Sequence, residues 1–250
     1  MERQTRRASA LAIFLVFAPW AAHGGPPFRT DDPMPFEVGH GEAYLFSMGS
    51  GSKEGKTIDA APGAELNYSL FPNTFFHLVL PMTYDDPSDA PSHYGLGDME
   101  VGFKWRFWNN EEEHVSVGTF PIVVTPTGNS NKGLGNGQAQ YYFPIWLQKD
   151  WDRLTVYGGG GYWVNPGANH KDWWFSGMVI QYQFTERLYL GTEFFHETAD
   201  EKGASGNTGF NVGGGFILAK DWQILFSGGR NIRHFGNNEY AYYIGLYRSF

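Results

Sequence analysis

The chain has 250 residues, a size that one barrel or sandwich domain can use in full. It contains no cysteine, which excludes a disulfide framework and a thiolate metal site. A net charge of −8 without basic runs argues against a nucleic-acid partner, and a mean hydropathy of −0.38 with one short apolar run argues against a helical membrane protein.

Residues 1–24 read as a secretory signal. Arg3, Arg6 and Arg7 make a basic start, and Ala8 to Ala18 is an apolar run too short to span a bilayer. Ala22 and Gly24 put small residues where a signal peptidase reads, so a cut is expected after Gly24, with Ala22 as the second choice. Losing three Arg and one Glu takes the net charge from −8 to −10. Residues 25–40 follow as a proline-rich, polar stretch without strand periodicity. It is either a periplasmic leader or a plug inside a barrel, with Phe28, Arg29, Asp31 and Asp32 as the candidate docking residues.

From residue 41 to 250 the chain resolves into segments with period-two alternation, separated by turn-forming clusters. Strands are predicted at 41–49, 59–70, 74–84, 96–107, 114–125, 138–148, 154–165, 173–184, 188–198, 208–218, 222–229 and 239–250. The stretch 97–107 is the most regular: Met99, Val101, Phe103, Trp105 and Phe107 share one face, and Asp98, Glu100, Lys104 and Arg106 share the other. One such strand fits a soluble sandwich or a membrane barrel equally well. Loop length separates them. Short connections at Phe71–Asn73, Trp108–Glu113, Lys149–Arg153, Thr185–Arg187 and Ala219–Asp221 alternate with long ones rich in Gly, Ser, Asn and Asp. This predicts an all-β fold: a closed antiparallel transmembrane β-barrel of about twelve strands, with short periplasmic turns and longer external loops. Phe71, Trp108, Trp151, Phe184 and Trp222 sit at the short turns, where an aromatic girdle belongs.

Strand parity then assigns the interior. Glu65, Asn67, His77, Asp98, Glu100, Lys104, Arg106, Gln140, Gln181 and Glu193 are the candidate lumen-lining residues, and Glu197 shares their facing. Such opposed charges either cross-link the wall or line a polar path. The facing of Glu42 to Met48 stays ambiguous. Pro62, Pro81, Pro121 and Pro144 fall within predicted strands and require bulges or rim positions, because proline cannot donate to a ladder. Gly158 to Gly161, with no Gly-Lys-Ser/Thr and no helix after it, is no phosphate loop; it leaves lumen space or permits close backbone approach. Asp85, Asp86, Asp89 and His93 match no calcium-loop spacing and read as a solvated acidic loop, so no metal and no cofactor are expected. For a hydrolase the only candidate pairings are His196 with Glu193 or Glu197, and His77 with Ser69.

The segments GLGDMEVGFKWRF (95–107), PTGNSNKGLGNG (126–137), FPIWLQKDW (143–151) and YGGGGYW (157–163), with GPPFRTDDP at 25–33, resemble the outer-membrane family labelled "MetA-pathway of phenol degradation". The resemblance implies a barrel in the outer membrane of a Gram-negative bacterium that moves small, hydrophobic or aromatic compounds; because neither His pairing matches a barrel-hydrolase motif, an enzyme is not expected. A structural or adhesive barrel and an outer-membrane hydrolase are the rival readings. Expected partners are outer-membrane lipids, the small solute and the barrel-assembly machinery. Phe250 would serve that machinery as its signal, although Arg248 stands where an apolar residue is usual.

Overall fold

The computed structural model describes residues 25–53, 55–233 and 239–250. The expected signal segment lies outside them. Fourteen strand segments form one antiparallel sheet: β1 (Gly41–Gly51), β2 (Gly55–Tyr68), β3 (Thr74–Pro87), β4 (His93–Leu96), β5 (Met99–Asn110), β6 (Val115–Thr119), β7 (Ile122–Thr125), β8 (Gln140–Trp151), β9 (Leu154–Val164), β10 (Trp173–Gln183), β11 (Leu188–Glu197), β12 (Asn207–Ala219), β13 (Trp222–Asn231) and β14 (Tyr240–Ser249). β4 runs on into β5, and β6 into β7, so the segments make twelve staves. β1 pairs with β14 from Glu42↔Ser249 to Gly51↔Tyr240, which closes the barrel. Closure leaves no free sheet edge to template aggregation. Helical structure among the described residues is one 3-10 turn, Ser130–Lys132, and no helix there is long and apolar enough to cross a membrane.

Polarity is inverted relative to a soluble protein. On β8, Phe143 and Ile145 are 57% and 53% exposed, while Trp146 beside them is 1% exposed. Most staves carry such exposed apolar side chains, which a bilayer would cover. Phe71, Trp108, Trp151, Phe184 and Trp222 are all exposed at the short-turn end. The facing of β1 is resolved: Glu42, Tyr44 and Phe46 point inward and Leu45 outward.

The prolines sit where the ladder is irregular. Pro62 falls within a register shift between Ile58 and Gly63. Pro81 stands where β3 changes neighbour from β4 to β5. Pro121 occupies the break between β6 and β7, and Pro144 lies opposite that break on β8. The two missing donors therefore share one gap, where Thr119 Oγ1 donates to the Pro144 carbonyl at 2.6 Å. The boundaries differ most from the sequence expectation at the first two external connections. Asp85 and Asp86 belong to β3 rather than to a loop, because they pair with Thr57 and Lys56 of β2. The first two external connections shrink accordingly to residues 52–54 and 88–92. Gly158 to Gly161 serve close approach: a Cβ at Gly159 would lie 2.0 Å from the Ile145 carbonyl oxygen, and one at Gly161 2.5 Å from Pro144 Cα.

Candidate functional site

The barrel interior holds the stretch 25–36, which enters from the short-turn end. His40 accepts from Ser69 and Gly39 donates to it, tying the entry to the β2–β3 turn. Phe36 stacks on Phe75 at 4.5 Å. Asp31 and Asp32 then meet Lys104 Nζ at 2.7 and 3.1 Å. Lys104 is 3% exposed, and its ammonium lies 5.0 and 5.1 Å from the ring centroids of Phe75 and Phe120. Farther in, the Thr30 N–H donates to Glu193 Oε1 at 2.6 Å, and Asn211 Nδ2 donates to the other oxygen at 2.6 Å. Arg29 reaches Glu197 at 2.6 Å and lies over the Phe195 ring at 4.6 Å. Phe28 packs against Tyr157 and Val179, and Ser227 donates to the Pro27 carbonyl at 2.5 Å.

Glycine makes the seat. A Cβ at Gly177 would lie 1.9 Å from Thr30 Oγ1, and one at Gly191 3.2 Å from the Phe28 ring. Both glycines break inward rows of larger residues, a signal legible in the sequence once inward parity is assigned, yet sequence reasoning passed over them. It also missed Glu42, which accepts the hydroxyls of Tyr44 and Tyr247 at 2.7 and 2.9 Å, and Asn211.

A second interior cluster lies on β2, β3 and β5. His77 Nδ1 is 2.7 Å from Asn67 Oδ1 and 3.4 Å from Glu65 Oε1, and its Nε2 is 3.0 Å from Glu100 Oε1. Asn67 Nδ2 donates to Glu65 at 2.8 Å. Ser69 instead donates to the Phe71 carbonyl, so His77 and Ser69 are not brought together. His196 meets Thr208 Oγ1 at 2.8 Å, while Glu193 and Glu197 face the leader.

Other candidates from the sequence serve the ends of the barrel. Asp98 accepts the backbone N–H groups of Gly128 and Asn136 at 2.8 and 2.6 Å, which anchors the external segment 126–137. Gln140 donates to Asn165 at 2.7 Å in the next external loop. There the Asn165 N–H, with the Tyr162 hydroxyl, holds the Asp172 carboxyl below its ordinary range. Arg106 donates to Asn73 at the short-turn end and contacts Met34. Gln181 is buried on β10. Phe250 is exposed and stacks on Tyr68 at 6.5 Å beside the β1–β14 seam.

The leader does not fill the lumen. A cavity of about 850 Å³ lies between it and a wall formed mainly by β1, β2, β3, β5, β13 and β14, with residues of β7, β11 and β12 completing it. The lining runs from Glu42 and Asn67 near the short turns to Ser52, Pro87 and Glu239 at the long-loop end. Asp98, Gln140 and Gln181 are not among the lining residues; Glu65, His77, Glu100 and Lys104 are.

Residues 53–247 match the family described as "Putative MetA-pathway of phenol degradation". The chain belongs to this family. No curated protein matches it. Among solved structures, the family member is similar to an outer membrane channel from Pseudomonas putida F1, at a TM-score of 0.69 and 14% identity over 88% of this chain and 98% of that one. It is also similar to the KdgM porin, at a TM-score of 0.56 and 15% identity over 83% and 99%. The NanC porin follows at 0.54 and 10% over 82% and 98%. At these identities the likeness establishes the fold: a closed twelve-stave barrel of the outer-membrane channel and porin type.

Proposed function

We propose that this protein is an outer-membrane channel of a Gram-negative bacterium, that it passes small solutes through the barrel interior, and that residues 25–36 act as a plug narrowing its bore. The observation that carries this reading is the cavity of about 850 Å³ running beside the seated leader over most of the barrel height. A volume of that order holds one small organic molecule. Its wall alternates ring faces, among them Phe46, Phe75 and Tyr243, with carboxylates and hydroxyls. That lining suits a small ring-bearing compound with a polar substituent, in keeping with the family description.

A structural barrel is the second reading. It is favoured by the ion pairs of Lys104 and Arg29, which cross-link leader and wall. Deleting residues 26–37 separates the two. Single-channel conductance in planar bilayers should rise, and solutes excluded by the intact protein should enter. Equal conductance from both forms would make the leader a tether beside an open pore. If neither form conducts, and neither changes uptake of an aromatic tracer into liposomes, transport is wrong and the structural reading takes its place.

A further inference from the structure

The cavity wall carries four cationic side chains, Arg29, Lys56, Lys104 and Arg230, against eight carboxylates. Three of these cations are compensated by carboxylates at short range. Lys104 lies between Asp31 and Asp32, Arg29 is 2.6 Å from Glu197, and Lys56 is 3.2 Å from Asp86. Arg230 also has a partner. His77 lies between Glu65 and Glu100, at 3.4 and 3.0 Å, and with it counted three of the carboxylates have no cationic partner at ion-pair distance among the described residues. Glu42 accepts only tyrosine hydroxyls, and Asp85 accepts the Thr57 hydroxyl at 3.1 Å. Asp59 stands exposed on the cavity wall toward the long-loop end, within electrostatic reach of Arg29 and Asp85.

Paired charges cancel within a few ångströms, so their fields in the bore are weak. Unpaired charges of one sign on a low-dielectric wall do not cancel; the wall focuses their field along the passage and concentrates counter-ions there. The interior also seats cations on ring faces already, as Arg29 over Phe195 and Lys104 over Phe75 demonstrate. Further rings line the same cavity with no cation over them among the described residues, including Phe46 and Tyr243, which stack at 5.5 Å.

We infer that the passage is selective for cations, with Asp59 and Asp85 near its external end setting that selectivity, so that the organic solutes it favours are amine-bearing rather than carboxylate-bearing. This rests on the channel reading above.

The test is the zero-current potential of the full-length protein in planar bilayers under a KCl gradient. The expected permeability ratio of K⁺ to Cl⁻ is about threefold or more, given the field of several uncompensated charges in a confined bore. The double variant Asp59→Asn, Asp85→Asn should conduct and bring the ratio toward unity; Asp59→Lys should lower it further. A second measurement needs no variant. Raising the mean salt so that the Debye length falls from about 10 Å to about 3 Å should reduce the ratio in the unmodified protein. A ratio at or below unity, from a protein that conducts, overturns cation selectivity and leaves the channel standing. An unchanged ratio in the double variant overturns the assignment to Asp59 and Asp85. A ratio indifferent to salt overturns its electrostatic origin. Absence of any current overturns the channel and this inference together.

Discussion

Lys104→Met removes the charge that two buried carboxylates share while keeping much of the side-chain volume. In the folded protein Lys104 is 3% exposed, Asp31 14% and Asp32 1%. The variant would leave both carboxylates in the interior without their cation. Breaking a buried pair from one side costs about 3–5 kcal/mol, because the orphaned charge keeps its desolvation penalty. The barrel wall holds itself by its own ladder, whereas the leader is held by side-chain contacts, so the cheapest relief is for the leader to leave its seat. At about 1.36 kcal/mol per decade, that cost shifts the seated-to-released ratio by at least about a hundredfold. Thr30→Cys supplies the reporter. Thr30 is fully buried and its hydroxyl has no hydrogen-bond partner among the described residues, so a thiol in its place is well tolerated. Maleimide labelling of the thiol at position 30 in folded, detergent-solubilised protein should be slow, and about a hundredfold faster with Lys104→Met. Adding Asp31→Asn and Asp32→Asn should restore slow labelling, since no uncompensated charge then remains. Equal labelling rates with and without Lys104 would refute the reasoning and leave the seat to glycine packing and the Glu193 hydrogen bond.

Two further outcomes test the barrel itself. Ile145 is 53% exposed near the middle of β8, so Ile145→Arg should cost about 2–4 kcal/mol on the lipid face and impair assembly. Glu100→Gln should assemble normally, because the amide oxygen can still accept from His77; equal tolerance of both changes, read by heat-modifiable gel migration, would count against a membrane barrel. Cysteines at the exposed Ser130 and Ser205 of the long connections should label from outside intact cells, and one at the exposed Glu112 of a short turn should not. The opposite pattern would invert the orientation.

Much of the fold was legible in the sequence because strand facing is local. Period two sets whether Phe143 or Trp146 looks outward, and turn chemistry sets where each stave ends; neither depends on distant residues. Even the four awkward prolines announced irregular ladder positions, although only the assembled sheet puts the gap at Pro121 opposite Pro144. The interior was legible in composition but not in pairing. Lys104 and Glu193 point inward by parity, yet whether they meet each other, water or the leader depends on how twelve staves close and which wall the leader follows. Parity turns Glu65, Asp98, Glu100, Glu193 and Glu197 all inward without saying which meets Arg29; closure delivers Glu197, and engages Asp98 with a loop and Glu100 with His77. Parity therefore determines which side chains enter the lumen. Only the tertiary structure decides their contacts, because those join residues as far apart as Asp31 and Lys104, or Glu42 and Tyr247, whose separation no local periodicity encodes.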